Sequence, residues 1–252
     1  MPDDRLRRIR TPPHVADTDA IAAASESWYG YGRWNAPFWF IGPEPGMRSD
    51  EGDNILARCQ AWQTLGSPEL LDCAEHHRVF GRMKYHSRSS NMKMSVEGYS
   101  MRPPTQTTWR RLMMLLLAFK GERTDNDAVG HYQCEAWGSA KGETCLAELS
   151  ALAANSLSVE RDRTAFRNER CAHLRKRLLE NAPRFVVAYG LGARQWYEQI
   201  VGTPFDSNGY GWAGTTLCAL VEHPVAIPGK PAAWWIEKGV EIRARLQWRR
   251  IQ

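Results

Sequence analysis

Two short apolar runs constrain this chain more than any other feature. Pro37-Phe38-Trp39-Phe40-Ile41-Gly42 and Arg184-Phe185-Val186-Val187-Ala188-Tyr189-Gly190 are continuous rather than alternating, and each ends in glycine. A strand with one wet face alternates apolar and polar side chains, whereas a continuous run requires apolar cover on both faces. The stretches between carry helical spacing instead. Ile55, Leu56, Cys59 and Trp62 form one set; Trp109, Leu112, Met113, Leu116 and Leu117 form another, capped by Thr107 or Thr108 and stopped at Gly121. Phe166, Arg170, Leu174, Leu178 and Leu179 mark a third helix before Pro183, Ala193, Trp196, Tyr197 and Ile200 a fourth, and a last helix spans about Ala232 to Gln247. Further strands are predicted at Leu149 to Ala153 and Thr215 to Val221. Strands alternating with helices imply parallel pairing, so the expected fold class is α/β: a three-layer α/β/α sandwich with a central four-stranded parallel sheet.

Residues 1–26 are polar, with Pro12-Pro13, and read as a flexible N-terminal arm; 27–252 read as a single α/β domain. Within it, 67–104 is rich in His, Arg, Ser and Met with weak periodicity, an irregular insertion with one short helix around Leu70 to Val79; 124–142 reads as a polar loop. A chain of 252 residues can bury a full core without a disulfide or metal staple. Mean hydropathy is −0.51 and no apolar run approaches the ~20 residues of a membrane span, so no membrane partner is expected. The first residues show no apolar signal segment, and the expected location is cytoplasmic. Cys59, Cys73, Cys134, Cys145, Cys171 and Cys218 are scattered without a CxxC and read as reduced thiols. Cys73-x-x-His76-His77 has loose zinc spacing, but no second half follows; inert cysteine is the stronger reading, and no metal or organic cofactor is expected. Net charge is +5, and only seven of the 33 basic residues are lysine. The planar fork of arginine suits phosphate, so the balance favours a polyanionic partner without proving one. The basic runs Arg110-Arg111 and Arg175-Lys176-Arg177 can track phosphates, although such runs are usually solvated faces; Trp234-Trp235 reads as core rather than a base-stacking platform.

In open α/β sheets ligands sit at the carboxyl ends of the strands. The segments there are Gly42-Pro43-Glu44-Pro45-Gly46, Asn155-Ser156, Gly190-Leu191-Gly192 and His223-Pro224. The first is a rigid turn that can hold the Glu44 carboxylate at the mouth of a site. A neutral His223 can donate to a developing negative charge, and the Asn155 amide offers donor and acceptor together to a base edge. Each alone is an ordinary turn residue; their order along the chain carries the information. In that order the sequence resembles the uracil-DNA glycosylase superfamily. The first turn is similar to that family's Gly-Gln-Asp-Pro-Tyr or Gly-Glu-Ala-Pro-Gly motif, and Val221-Glu222-His223-Pro224 to its His-Pro-Ser motif. Pro183 to Ala193 matches its Pro, apolar strand, Gly, helix segment, and Glu169, Cys171 and Leu174 sit as in the preceding helix. The resemblance covers about residues 35–47 and 148–230.

The resemblance implies a four-stranded parallel sheet and a monofunctional DNA glycosylase that removes a base flipped out of DNA. Glu44 would activate water and stabilise positive charge on the sugar, Asn155 would read the base edge, and His223 would stabilise the departing base anion. Gly42, Pro43, Pro45, Gly46, Gly190, Gly192, Pro224 and Lys230 would line the substrate, and Val225 and Ile227, with Pro228, would wedge into the duplex. The insertion, through Arg78, Arg82, Tyr85, His86, Arg88, Tyr99 and Arg102, would enlarge the pocket or grip DNA. Departures from the family bear on the substrate. Gly46 stands where one branch has a Tyr that blocks pyrimidines substituted at C5, and Pro43 where another has a Glu. Val225 replaces the usual Ser, no iron–sulfur cysteines are present, and no Lys lies beside Glu44 to act as a lyase nucleophile. The implied substrate is a bulky 5-modified cytosine in phage DNA, with antiviral defence as the setting by analogy to relatives and no obligate protein partner. The alternatives are a uracil-DNA glycosylase of base-excision repair and a non-catalytic DNA- or nucleotide-binding protein of the same fold. An unrelated dinucleotide-binding fold lacks support, because Gly190-x-Gly192 has no third Gly at the required spacing.

Overall fold

The two continuous apolar runs become neighbouring strands at the centre of one sheet. The computed structural model describes residues 18–45, 52–82, 107–152, 166–226 and 228–249. Its strands are β1 (Gly30–Gly32), β2 (Phe38–Gly42), β3 (Leu70–Leu71), β4 (Thr144–Glu148), β5 (Phe185–Tyr189), β6 (Tyr210–Ala213) and β7 (Thr216–Val221), in the spatial order β3-β1-β4-β2-β5-β7-β6. The four in the middle, β4, β2, β5 and β7, pair in parallel. On one side β1 pairs antiparallel to β4 and parallel to β3; on the other β6 closes antiparallel on β7. The sheet therefore has seven strands among the described residues, where four were expected. The three additions are two to four residues long, too short to print a periodicity on the sequence.

Eight helices accompany the sheet among the described residues: α1 (Thr18–Ser27), α2 (Gly52–Thr64), α3 (Cys73–Arg82), α4 (Thr107–Lys120), α5 (Asn126–Glu135), α6 (Arg167–Asn181), α7 (Arg194–Val201) and α8 (Ala232–Arg249). Side chains alternate across the sheet, as the strand period of two requires. Phe38 and Phe40 face a core built with α1, α2, α4 and α8, while Trp39 and Ile41 face a second core with Leu174 and Leu178 of α6 and Tyr197 and Ile200 of α7. Both faces are apolar, which is why β2 and β5 read as continuous runs. Where α8 crosses α4, Gly239 lies so close to the Leu115 carbonyl and the Phe119 amide that no side chain fits there. Trp235 is fully buried and meets Trp234 edge-on at 5.0 Å, a core role as expected.

Three further expectations are corrected and a fourth is met in part. The strand expected at Leu149 to Ala153 is instead Thr144–Glu148. Ala-Leu-Ala-Ala is weak strand material, whereas the Thr-Cys-Leu run can enter the sheet. The loop expected at 124–142 contains α5, whose cap Asp125 accepts from the Asp127 and Ala128 amides at 3.1 Å. The arm expected over 1–26 is helical from Thr18, with Ala20, Ile21 and Ala24 buried; small residues conceal a buried face because they contribute little to a hydrophobic pattern. In the insertion expected at 67–104, the short helix expected around Leu70 to Val79 is present as α3, shifted by three residues and preceded by β3, and 83–104 lies outside the described residues.

Arg170 is the polar tie of this fold. Its side chain is wholly buried, and its guanidinium donates to the carbonyls of Leu149 (3.2 Å), Ser25 (3.0 Å) and Glu148 (2.8 Å) while stacking on the Tyr29 ring at 4.2 Å. One side chain thereby joins α6, the end of β4 and the end of α1. Burial pushes its pKa down to about 10, which leaves it charged at neutral pH. Arg170→Ala strands three carbonyls, each worth about 1–3 kcal/mol when buried and unpartnered. The expected outcome is a loss of roughly 3 kcal/mol or more, and Arg170→Lys, which lacks the planar fork, recovers only part of it. Chemical denaturation at neutral pH checks both.

Candidate functional site at the strand carboxyl ends

Parallel pairing aligns the ends of β4, β2, β5 and β7 in one row. Gly42 pairs with Glu148, and Tyr189 with Val221. By alternation, Glu148, Gly42, Tyr189 and Val221 belong to the same face as Leu146, Phe40, Val187 and Ala219. Gly42 contributes no side chain to this row. Glu148 and Tyr189 reach toward each other over the gap, and the Tyr189 hydroxyl donates to Glu148 Oε1 at 3.2 Å. A methyl group at Gly42 would collide with both Glu148 Oε2 and the Tyr189 hydroxyl. Close approach, rather than turn geometry, makes this glycine necessary.

The chain leaves β2 through Pro43, which is buried, and Glu44 and Pro45, which are half-buried. It leaves β5 through Gly190, whose backbone has φ of +97° and whose amide donates to the Val221 carbonyl at 3.0 Å. A first side-chain carbon at Gly190 would lie 3.7 Å from Pro43 and 3.9 Å from His223. The first turn, the glycine turn and the His-Pro turn thus meet at one point, although they stand far apart in the sequence. The His223 ring is 5.6 Å from that of Tyr189. Its own turn fixes it: the Ala226 amide donates to the His223 carbonyl at 2.9 Å and the Val225 amide to Nδ1 at 3.4 Å. Burial pushes the His223 pKa down, so the ring is neutral at pH 7. With Nδ1 accepting, the proton of the neutral ring sits on Nε2, leaving an N–H donor.

Other expected residues fare differently. Gly192 is exposed in the turn before α7, Pro224 is buried and Val225 is exposed. Lys230 Nζ pairs with Glu222 at 3.3 Å, and the Lys230 carbonyl accepts from Arg111, so this lysine ties down the segment after His223. Asn155, Gly46, Ile227 and Arg102, all expected at the site, lie outside the described residues, as do Tyr85, His86, Arg88 and Tyr99. Arg78 is exposed on α3. The basic runs are engaged locally: Arg110 with Asn126, Arg175 with the Ile200 carbonyl at 3.2 Å, Arg177 with Glu69 at 2.8 Å and Lys176 with Glu180 at 3.8 Å. His77 Nδ1 donates to the Cys73 carbonyl at 2.7 Å, and His76 bridges the Tyr31 hydroxyl (3.0 Å) and the Arg58 carbonyl (3.1 Å). Among the described residues no group of three or more His, Cys, Asp or Glu is placed to hold a metal. A shallow cleft of about 550 Å³ at the β6 edge is lined by residues including Phe205, Tyr210, Trp212 and Arg245, and by none of the strand-end groups.

Glu148 and Tyr189 were not anticipated as site residues. Glu148 lies between the loop expected at 124–142 and the strand expected from Leu149, and Tyr189 reads as strand core. The one available signal was an acid ending an otherwise apolar run, Cys145-Leu146-Ala147-Glu148.

Two outcomes check this geometry. Gly42→Ala is expected to separate Glu148 from Tyr189 and lower stability by about 1–3 kcal/mol, the usual range for overpacking, in thermal denaturation. The His223 ring is expected to titrate below an unperturbed histidine, so that its imidazole NMR shifts show it more than half neutral at pH 6.5, about the pKa of a free imidazole side chain. No protein-family model matches the chain, and no curated protein matches it.

Proposed function

We propose that this chain hydrolyses the N-glycosidic bond of a pyrimidine nucleotide flipped out of DNA, leaving an abasic site, and that its substrate is a cytosine bearing a bulky group at C5. The observation that carries the reading is the meeting of Pro43, Gly190 and His223 at adjacent strand ends, with His223 neutral. Further support comes from the four parallel strands β4-β2-β5-β7, the core that a uracil-DNA glycosylase resemblance implies. In this reading the bond between the sugar C1′ and the base nitrogen breaks with its electrons leaving on the base. His223 Nε2–H donates to the oxygen on which that negative charge gathers, and a neutral ring does so without trapping the base by proton transfer. Glu44, on the turn beside it, stabilises the positive sugar and takes the proton of the attacking water. The preference for a large C5 substituent rests on the sequence, which places Gly46 where a blocking side chain would stand. Defence against phage carrying such bases is the setting that fits this substrate.

The test is abasic-site formation on oligonucleotides carrying uracil, thymine, 5-hydroxymethylcytosine or glucosylated 5-hydroxymethylcytosine, single- and double-stranded, read as strand scission after alkali. Cleavage at the bulky cytosines is expected. Glu44→Gln and His223→Ala are each expected to lower turnover by about 10²–10⁴-fold with DNA affinity retained. Cleavage at uracil alone would return the protein to repair. Binding without cleavage of any substrate would make it a reader of DNA.

A further inference from the structure

Glu148 has features that the mechanism above does not use. It ends β4 beside Gly42, and its Oε1 accepts from Tyr189, but its Oε2 is buried and has no hydrogen-bond partner among the described residues. The titratable groups that act on it electrostatically are Tyr31 of β1, Glu44 after β2, Arg58 of α2, Arg170 of α6, Tyr189 of β5 and Tyr197 of α7. Neither cation pairs with the carboxyl. Arg170 donates instead to the Glu148 backbone carbonyl at 2.8 Å, and Arg58 to the Tyr31 hydroxyl at 3.5 Å. A buried carboxylate with an orphaned oxygen and a second carboxylate nearby is costly enough that such a group takes up a proton.

We propose that Glu148 is a positioning residue that serves as a neutral acid: joined to Tyr189 across Gly42, it sets the floor under the Pro43–Pro45 turn and leaves the negative charge at that turn to Glu44. The role rests on the glycosylase reading; the protonation state does not. Burial, reinforced by Glu44, pushes the Glu148 pKa up to about 8, while the Tyr189 hydrogen bond pulls against that rise. Above this pH a second negative charge appears beside the site. It opposes the departing base anion, so turnover falls. The same shift is felt in stability. The folded state holds a proton that the unfolded chain has already released, so the contribution of Glu148 is full below the ordinary glutamate pKa and is lost as pH rises through about 8.

The test uses the full chain with Glu148→Gln, which keeps a neutral group of the same shape, and Tyr189→Phe, which removes the donor. In wild-type protein, infrared difference spectra are expected to show a protonated-carboxyl band that disappears with a midpoint near pH 8. The band is absent in E148Q, and its midpoint moves up in Y189F, because the lost hydrogen bond favoured the charged form. Wild-type turnover is expected to fall by up to about tenfold between roughly pH 7 and 9, while E148Q, compared with its own rate at neutral pH, falls by less than about threefold. An ionised Glu148 at pH 7 overturns the proposal. So does an E148Q profile that keeps the wild-type alkaline fall. If no oligonucleotide is cleaved, the glycosylase reading fails and the positioning role fails with it, while the infrared titration still decides the protonation state. Should E148Q not fold, the direction of the Y189F shift decides: a midpoint that stays or moves down overturns the proposal.

Discussion

Cover on both faces of the central sheet governs the rest of this molecule. Phe38 and Phe40 enter one core and Trp39 and Ile41 the other, so β2 has no wet side on which to place a polar group. The same holds for β5. Polar chemistry is therefore pushed to the ends of the strands, where backbone groups leave the ladder and the helices begin. Parallel pairing then brings four such ends together. The location of the candidate site follows from where a sheet of this kind can tolerate charge at all.

Charge at those ends still requires compensation, and the structure supplies it in two ways. Arg170 is buried with its charge intact because three carbonyls and an aromatic face receive it. Glu148, whose backbone carbonyl Arg170 itself contacts, receives one side-chain hydrogen bond and pairs with no cation among the described residues, and burial favours its acid form. The two groups illustrate the same rule with opposite outcomes: a buried ionisable group stays charged only where enough oriented dipoles or opposite charge meet it. His223 follows the rule as well. It is half-buried without a carboxylate partner among the described residues, its pKa is depressed, and it presents an N–H rather than a positive charge.

Much of the basic character that the composition advertises is engaged within the fold. Lys230 holds Glu222, Arg177 holds Glu69 between Trp34 and His173, and Arg175 caps the end of α7. Net charge alone was therefore a weak guide to a partner, since a surplus of five positive charges does not say which arginines are free. The exposed apolar side chains Leu191 and Val225, both on turns leaving the strand ends, distinguish this edge more clearly than its charge does.

The sequence by itself determined the class of the fold, the identity of β2, β5 and β7, six of the eight described helices, and the strand ends at Gly42, Gly190 and His223. These were legible because continuous apolar runs, helical spacing and Gly-Pro punctuation are local signals. It did not reveal α1, whose buried face is mostly alanine, nor α5 within a polar stretch, nor the short strands β1, β3 and β6, nor the true position of β4. Only the tertiary structure decided that Glu148 and Tyr189 meet across Gly42. Their contact spans 41 positions in the chain and depends on strand register. In a sheet with one wet face, a slip of one residue would expose apolar side chains, so the pattern itself encodes the register. Here both faces are apolar, and Phe-Trp-Phe-Ile reads the same with either set of side chains turned to either core. The signal that identified the buried strands is the one that left their alignment, and with it the floor of the site, to packing in three dimensions.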